Sequence, residues 1–410
     1  MFKRFAYVGA IGGLCFTMLA GNGSVQAEQT NPDIIPGQYI VTFSDTVSDP
    51  GPLAERMASR FGTEPEHVYS HALKGFSAQL SDAAVERLQS LPEVVSIIPD
   101  QRVSITAQSL PTGVNRVEAD LSPTARIDGV DQRVNVDVAI LDTGIDLDHP
   151  DLNVAGGVSC VGGSADDRNG HGTHVAGTVA ALDNNFGVVG VAPGARLWAV
   201  KVLGDNGSGS FASIICGVDW VTARAGTIEV ANMSLGGGGS DPAGSGCSTG
   251  NGLHDAICRS VGAGITYVVA AGNSATDARS FVPAAFDEVI TVSALADFNG
   301  RSGGGAPATC RSDVDDTFAN FSNYGADIDL IAPGVCILST FPGGGYNGNY
   351  SGTSMAAPHV AGGAALYKAR NPGASPAAVK SALQSAGTLD WNNSDDRDGI
   401  KERLLNVRSF

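Results

Sequence analysis

The hydrophobic pattern changes along the chain, and from about residue 134 onward short apolar runs alternate with longer helical stretches. Continuous apolar runs of this length predict strands that are buried on both faces. The alternation therefore predicts an α/β domain with a parallel sheet that is covered by helices on both sides. The predicted strands are VDVAILDTG, RLWAVKVL, VANMSLGG, TYVVAAGN and VITVSAL, and the predicted helices are THVAGTVAAL, FASIICGVDWVTARA, NGLHDAICRSVGAG and SMAAPHVAGGAALYKAR.

Residues 36–105 have the pattern of a smaller, separate unit. Two helix-like stretches lie between strand-like stretches there, and Asp82 is the expected cap of the second helix. This order predicts a split β-α-β arrangement, an α+β domain of the ferredoxin-like type. A polar stretch, DQRVSITAQSLPTGVNR, links it to the larger unit.

The N-terminus has the pattern of an export signal. Lys3 and Arg4 precede an apolar run over residues 5–20, and small residues follow at Val25 and Ala27. This pattern predicts a signal peptide over residues 1–27 that is cleaved after Ala27. A membrane anchor is the alternative, which the short and glycine-rich run disfavours.

Composition narrows the possible partners and the redox compartment. The chain is 43% hydrophobic and 16% charged, which is globular, and its net charge of −17 without a basic run argues against a nucleic-acid partner. Six cysteines remain after the signal peptide, and an even number in an exported chain predicts three disulfides. Zinc is the alternative for these cysteines, but the chain has no C-x-x-C pair.

Two segments carry residues that are suited to catalysis. In NGHGTH, His171 and His174 are three residues apart, which differs from the spacing of helical zinc ligands, and no third ligand lies nearby. Ser354 follows Gly-Thr at the start of a predicted helix, where free N–H groups favour negative charge. A serine nucleophile needs a histidine base and a carboxylate that orients the histidine, and Asp142 at a strand end is a candidate. Taken alone, Ser354 is more typical of a helix cap.

Together, five segments of the chain resemble the subtilisin-like serine proteases (subtilases) in order and spacing. The resemblance implies that Asp142 orients the histidine, His171 is the general base, Ser354 is the nucleophile and Asn273 donates to the oxyanion beside the Ser354 N–H group. His149, His174 and His359 are then expected to be structural. The segments span residues 107–385 and read AILDTGIDLDHPDL, NGHGTHVAGTVAAL, NMSLGG, AAGN and GTSMAAPHVAG.

The resemblance also implies a polypeptide substrate that pairs as an extended strand with the protein. Small residues in both expected walls of the P1 pocket leave room for a bulky side chain, and neither wall has an acidic residue. A broad preference for apolar or aromatic P1 residues follows. One wall comprises Ser234, Leu235, Gly236 and Gly237, and the other comprises Ala270, Ala271 and Gly272.

The resemblance implies a precursor with three parts. Residues 28–106 are similar to an inhibitor-like propeptide, which assists folding and then blocks the active site. Cleavage between Thr106 and Ala107 would release a peptidase domain over residues 107–410. The mature protein is expected to be secreted, monomeric and free of the membrane once the signal peptide is removed.

Structural calcium is a further implication. The loop ALDNNFGVVGVAP resembles the calcium loop of subtilisins, although an ordinary polar turn is the alternative. The match gives side-chain oxygens from Gln108, Asp151 and Asn184 and carbonyl oxygens from Leu182, Phe186 and Val188. A second stretch, NNSDDRDG, resembles an oxygen-rich cation loop, but a solvated acidic turn is favoured there.

Exported subtilases with disulfides suggest the pairs Cys160–Cys216, Cys247–Cys258 and Cys310–Cys336. Two other functions remain alternatives at this point. A binding protein on a catalytically silent subtilase scaffold would lack a member of the catalytic set, and here all four residues are present. A lipase-like hydrolase would carry G-x-S-x-G with its acid and histidine after the serine, which this chain does not.

Overall fold

The computed structural model describes residues 34–101, 107–241 and 246–410, and the chain divides into two compact units at residue 105. The expected signal peptide lies outside the described residues. Within the described ranges, no helix is both long enough and apolar enough to cross a membrane.

The smaller unit has the β-α-β-β-α-β order of a split β-α-β fold. Its sheet has the order β2-β3-β1-β4 with antiparallel pairing throughout, and both helices contribute to one core. The second helix is capped by Ser81, whose Oγ accepts from the Ala84 N–H, so the expected cap at Asp82 is wrong by one residue. The elements are β1 (Ile34–Phe43), α1 (Pro50–Arg60), β2 (His67–Tyr69), β3 (Gly75–Gln79), α2 (Asp82–Gln89) and β4 (Val94–Gln101).

The larger unit is built on an eight-stranded sheet with the order β13-β12-β10-β8-β5-β7-β6, in which β14 also pairs with β12. All of these pairs are parallel except β12 with β13. Its strands are β5 (Asp137–Asp142), β6 (Val154–Ser159), β7 (Arg196–Lys201), β8 (Val230–Met233), β9 (Gly237–Gly238), β10 (Thr266–Ala270), β11 (Phe281–Val282), β12 (Ile290–Ala296), β13 (Thr317–Phe318), β14 (Leu330–Pro333), β15 (Ile337–Phe341) and β16 (Gly345–Tyr350). Its helices are α3 (Thr112–Arg116), α4 (His171–Ala180), α5 (Phe211–Thr222), α6 (Gly252–Gly262), α7 (Thr353–Arg370) and α8 (Pro376–Ala386).

Both faces of this sheet are buried, as the apolar runs predict. In β5, Val138 and Ile140 belong to the core that α4, α7 and α8 cover, whereas Ala139 and Leu141 belong to the core that α5 and α6 cover. Successive side chains of a strand point to opposite faces, so an entirely apolar strand satisfies both cores. The predicted α/β class with helices on both faces is confirmed.

Three disulfides tie segments of the larger unit together, in the pairs suggested above. They join Cys160 to Cys216, Cys247 to Cys258, and Cys310 to Cys336. The first links the end of β6 to α5, and the last links the start of β15 to a long loop after β12.

Candidate active site

The carboxyl end of β5 brings Asp142 to the first residue of α4, His171. The His171 Nδ1 atom lies 2.7 Å from Asp142 Oδ1, which also accepts the Thr143 N–H at 2.7 Å. A Cβ atom at Gly172 would lie 2.1 Å from the Gly144 carbonyl oxygen. The glycine of the H-G-T-H motif therefore allows α4 to approach the strand end closely.

The environment of His171 favours its protonated form. Asp142 is fully buried, whereas 26% of the His171 side chain is exposed. Burial lowers the pKa of His171, but the Asp142 charge, their hydrogen bond and the Asp167 charge raise it further, so the net pKa lies above its ordinary 6.5. In the neutral ring, donation from Nδ1 to Asp142 leaves Nε2 free to accept a proton.

Asp167 is a buried residue of this site that sequence reasoning did not find. Its carboxylate accepts from Thr143 Oγ1, from the Asn169 and Gly170 N–H groups, and from the N–H and hydroxyl of Thr173. These bonds connect the turn after β5 to the first turn of α4. The sequence signal that could have indicated Asp167 is a carboxylate four residues before His171, close to the start of a helix.

Ser354 is the second residue of α7, and a proline within the helix shapes its surroundings. Pro358 has no N–H group to donate to the Ser354 carbonyl, which accepts from Ser234 Oγ at 2.7 Å instead. In return, Ser354 Oγ donates to the Ser234 carbonyl oxygen at 3.2 Å. This exchange fixes the start of α7 against the segment that follows β8.

His171, Ser354 and Asn273 line one open cavity of about 740 Å³. No described hydrogen bond joins Ser354 Oγ to His171 in this state, since the hydroxyl donates to Ser234. Hydrogen bonds between a nucleophile and its base are often long before substrate binds.

The side chain of Asn273 has a fixed orientation. Its Oδ1 accepts from the Thr353 N–H at 2.8 Å and from the Thr353 hydroxyl at 2.9 Å, so the Nδ2 group is the one presented for donation. A Cβ atom at Gly352 would lie 3.3 Å from Asn273 Nδ2 and 3.6 Å from the Ser354 nitrogen. Both donors therefore adjoin one small space that the absence of a side chain at Gly352 keeps open.

The remaining histidines that were expected to be structural have the contacts of structural residues. His174 and His359 are fully buried, and burial lowers the pKa of each to about 4. His174 Nε2 lies 2.9 Å from the Ile337 carbonyl oxygen, and His359 Nδ1 lies 2.9 Å from the Met355 carbonyl oxygen. His149 is 3% exposed.

A groove beside His171 includes the whole of the first expected substrate wall. The cavity measures about 580 Å³ and contains Ser234, Leu235, Gly236 and Gly237. Phe211 and Leu203 line its apolar side. The second wall, Ala270 to Gly272, lines neither this cavity nor the one at Ser354. Asn323, another residue not found from sequence, holds this wall by donating to the Ala271 carbonyl.

The two expected walls of the P1 pocket have an aromatic ring between them. A Cβ atom at Gly236 would lie 2.4 Å from the Phe281 ring, and one at Gly272 would lie 3.0 Å from the same ring. Phe281 thus packs against both glycines. The expected preference for bulky P1 side chains stays a prediction, and this ring is a further feature that affects the size of the pocket.

The expected calcium residues come together around Asp151. Its Oδ1 accepts from Asn184 Nδ2 and its Oδ2 accepts from the Val188 N–H, while Gln108 Oε1 accepts from the Asn184 N–H. Burial raises the pKa of Asp151 to about 6. Tyr346, not found from sequence, donates its hydroxyl to Asp151 Oδ2 at 3.2 Å. Leu182 and Phe186 flank Asn184 in the same loop.

The stretch NNSDDRDG departs from the solvated acidic turn that was favoured. Asp396 and Asp398 are partly buried, and both have side-chain oxygens without solvent contact. The expectation of a solvated turn is wrong for these two side chains, which fold inward, whereas Asp395 in the same stretch is exposed.

Comparisons with known proteins identify the family of the chain. Residues 134–400 match the Subtilase family and residues 38–106 match the Peptidase inhibitor I9 family. The chain is 38% identical over 387 residues to subtilisin J of Geobacillus stearothermophilus, covering 93% of this chain and 92% of that protein. It is 44% identical over 284 residues to subtilisin Savinase of Lederbergia lenta, covering 69% and 93%.

A solved structure is also similar. The crystal structure of a cold adapted subtilisin-like serine proteinase matches with a TM-score of 0.57 and 33% identity, covering 74% of this chain and 99% of that one. The chain therefore belongs to the subtilase family, as a subtilisin-like serine peptidase with an inhibitor I9 propeptide domain.

Proposed function

We propose that the chain is a secreted serine endopeptidase in which Ser354, His171, Asp142 and Asn273 perform the chemistry. The observation that carries this assignment is the 2.7 Å contact of His171 with Asp142 beside a cavity that His171 shares with Ser354. A catalytically silent scaffold is disfavoured because the base, its orienting carboxylate, the serine and the amide donor are all present.

The reaction begins when Ser354 Oγ attacks the scissile carbonyl carbon and His171 Nε2 takes the hydroxyl proton. Asp142 holds the ring in the tautomer that accepts at Nε2 and stabilises the imidazolium that forms. His171 then returns the proton to the leaving amine, and the acyl group stays on Ser354. Water attacks the acyl-enzyme with the same assistance, and Ser354 is restored.

The oxyanion of each tetrahedral intermediate lies in the space beside Gly352. Asn273 Nδ2 and the Ser354 N–H group donate to it there, and the start of α7 adds a favourable dipole. The Thr353 contacts hold the Asn273 amide before substrate arrives, so little reorganisation is needed during the reaction.

The substrate is an extended polypeptide that lies along Ser234–Gly236, and its P1 residue is apolar and small. No acidic residue lies in either wall to select a basic P1 side chain. Phe281 shortens the pocket, so alanine-like P1 residues fit better than phenylalanine. The apolar cavity with Phe211 and Leu203 accepts side chains further from the scissile bond.

Maturation proceeds by removal of the signal peptide after Ala27 and by self-cleavage between Thr106 and Ala107. The inhibitor-like unit assists folding and blocks the site until the cleavage is complete, and the mature enzyme is a secreted monomer. The released Ala107 end lies next to Gln108, which contacts the loop of Asn184.

Structural calcium fits the Asp151 loop because its donor set is one carboxylate, two side-chain amides and nearby carbonyl groups. Gln108, Asp151 and Asn184 would hold the ion together with the carbonyls of Leu182, Phe186 and Val188. The bound ion would stabilise the fold and takes no part in the reaction. EDTA should shorten the half-life of thermal inactivation, and an unchanged half-life would contradict this site.

The decisive test compares the full chain with its Ser354→Ala variant. Mass spectrometry of the purified products should find the unchanged chain beginning at Ala107 and the variant retaining its propeptide. The control is Ser351→Ala, which changes a neighbouring serine outside the proposed set. If all three chains are cut alike, another protease performs the cleavage and the self-processing proposal is wrong.

A further inference from the structure

The segment over residues 392–402, named here the acidic loop, is closed at its base. Trp391 Nε1 donates to the Glu402 carbonyl oxygen at 2.9 Å, and the Asn392 N–H donates to the Asp316 carbonyl oxygen at 2.7 Å. Gly399 has a φ of 74°, which permits a sharp turn that other residues rarely adopt. Hydrogen bonds therefore hold both ends of the acidic loop in place.

Six side-chain oxygens of the acidic loop are shielded from solvent and accept no hydrogen bond of normal geometry. Glu402 is only 5% exposed, and both of its carboxylate oxygens are without a partner. Leaving a buried polar atom unpaired destabilises the fold, and an unpaired buried charge does so more strongly. The six atoms are Asn393 Oδ1, Asp396 Oδ1 and Oδ2, Asp398 Oδ2, and Glu402 Oε1 and Oε2.

The residues that carry these oxygens lie close together in the closed loop. Asp396 and Asp398 are two positions apart, and the turn at Gly399 leads the chain to Glu402 at the base of the loop. The buried and unpartnered oxygens therefore belong to one short segment of the chain.

No counter-charge for this cluster is found within the described ranges. The guanidinium of Arg397 donates to the Ala275 carbonyl oxygen at 2.7 Å, and the Lys401 ammonium lies 5.3 Å from the centre of the Trp391 ring. Neither forms an ion pair with Asp396, Asp398 or Glu402. A buried negative cluster without a cation is unfavourable unless a ligand supplies the positive charge.

We propose that the acidic loop binds one calcium ion through Asn393, Asp396, Asp398 and Glu402. All donors are oxygens, with three carboxylates and one amide, and calcium prefers such sets over the nitrogen and sulfur ligands of zinc. The order Asp396-x-Asp398-Gly399 is that of the acids and glycine in a twelve-residue calcium loop. Ser394 replaces the first acid of that pattern, and Glu402 follows the glycine by three residues.

Binding must draw the carboxylates closer together. Within the part of the chain that is described, no three histidine, cysteine or acidic side chains already have the spacing of a metal site. The flexible, irregular coordination of calcium tolerates this adjustment better than the strict octahedron of magnesium. The proposed ion is separate from the one expected at Asp151, and it does not rest on the proposed peptidase activity.

Calcium titration of the full Ser354→Ala chain tests the proposal, since that chain does not digest itself. After EDTA treatment and desalting, isothermal titration with calcium chloride should count one site fewer in Asp396→Asn/Asp398→Asn, or an affinity at least about tenfold lower at one site. The matched control is Asp395→Asn, an exposed acid of the same loop that belongs to no predicted ligand set. It should bind as the parent does.

A second measurement needs no change in the loop and decides the matter if the double variant fails to fold. In hydrogen–deuterium exchange, calcium chloride should slow exchange over residues 392–402 of the Ser354→Ala chain. Equal site counts and affinities in parent and double variant would overturn the proposal. So would equal losses in the double variant and Asp395→Asn, or unchanged exchange in the acidic loop.

Discussion

Phe281 is expected to limit the size of the P1 residue, and Phe281→Ala tests this directly. The ring packs against Gly236, which belongs to the first expected wall, and against Gly272, which belongs to the second. Removing the ring opens the space between them. The backbone pairing of Phe281 with Gly238 does not depend on the side chain and should persist.

The expected magnitude follows from the area that a P1 phenylalanine would bury in the opened space. Full burial of such a side chain is worth about 1.5–3 kcal/mol. Since each 1.36 kcal/mol is a factor of ten in rate, kcat/KM for a phenylalanine P1 substrate should rise roughly 10- to 150-fold relative to alanine.

The assay compares two chromogenic peptides that differ only in alanine or phenylalanine at P1. The ratio of their kcat/KM values is the readout, because any loss of folded enzyme affects both substrates equally. Phe211→Ala is the matched control, since it deletes a ring that lines the other cavity. It should slow both substrates with little change in their ratio.

A ratio for Phe281→Ala that stays within about twofold of the parent would refute the reasoning. The ring would then lie outside the path of the P1 side chain. A parent enzyme that already prefers phenylalanine by tenfold or more would refute it as well.

Three other perturbations have expected outcomes. Gly352→Ala places a methyl group beside Asn273 Nδ2 and the Ser354 nitrogen, so kcat should fall roughly 10²–10³-fold, the loss measured for an oxyanion donor in a subtilisin, with unchanged circular dichroism. A kcat near that of the parent would contradict this position for the oxyanion. Activity requires neutral His171, so kcat/KM should fall as the pH drops through the raised pKa of His171. The Asp167 charge contributes to that raised pKa, so Asp167→Asn should move the acid side of the pH profile to lower pH. An acid side that stays in place would show that the Asp167 charge has no such effect. Loss of the Cys160–Cys216 disulfide, which closes a loop of 56 residues, should lower the free energy of unfolding by roughly 4 kcal/mol. Loss of Cys247–Cys258, which closes a loop of 11 residues, should lower it by about 3 kcal/mol. Urea unfolding of the two cysteine-to-serine double variants in the Ser354→Ala chain measures both losses. The reverse order would show that chain entropy does not dominate.

The sequence by itself determined the fold class, and its resemblance to the subtilases indicated each proposed catalytic residue. Continuous apolar runs indicate strands that are buried on both faces, and glycine-rich turns mark where those strands end. Local pattern was therefore enough to predict the strands β5, β8 and β10 and the helices α4 and α7. The shorter elements β9, β11 and β13 were not, because two-residue strands are defined by their partners and have no periodicity of their own.

The tertiary structure decided which distant residues share a space. Phe281 follows the second expected wall by nine residues and still packs against glycines of both walls, and Ser234 meets Ser354 across 120 residues. The acidic loop has the composition of a solvated turn, yet chain closure at Trp391 buries Glu402. Local pattern reports how apolar a segment is and which way its side chains alternate. It does not report the path of the chain, and that path sets pocket size, cysteine pairing and the burial of charge.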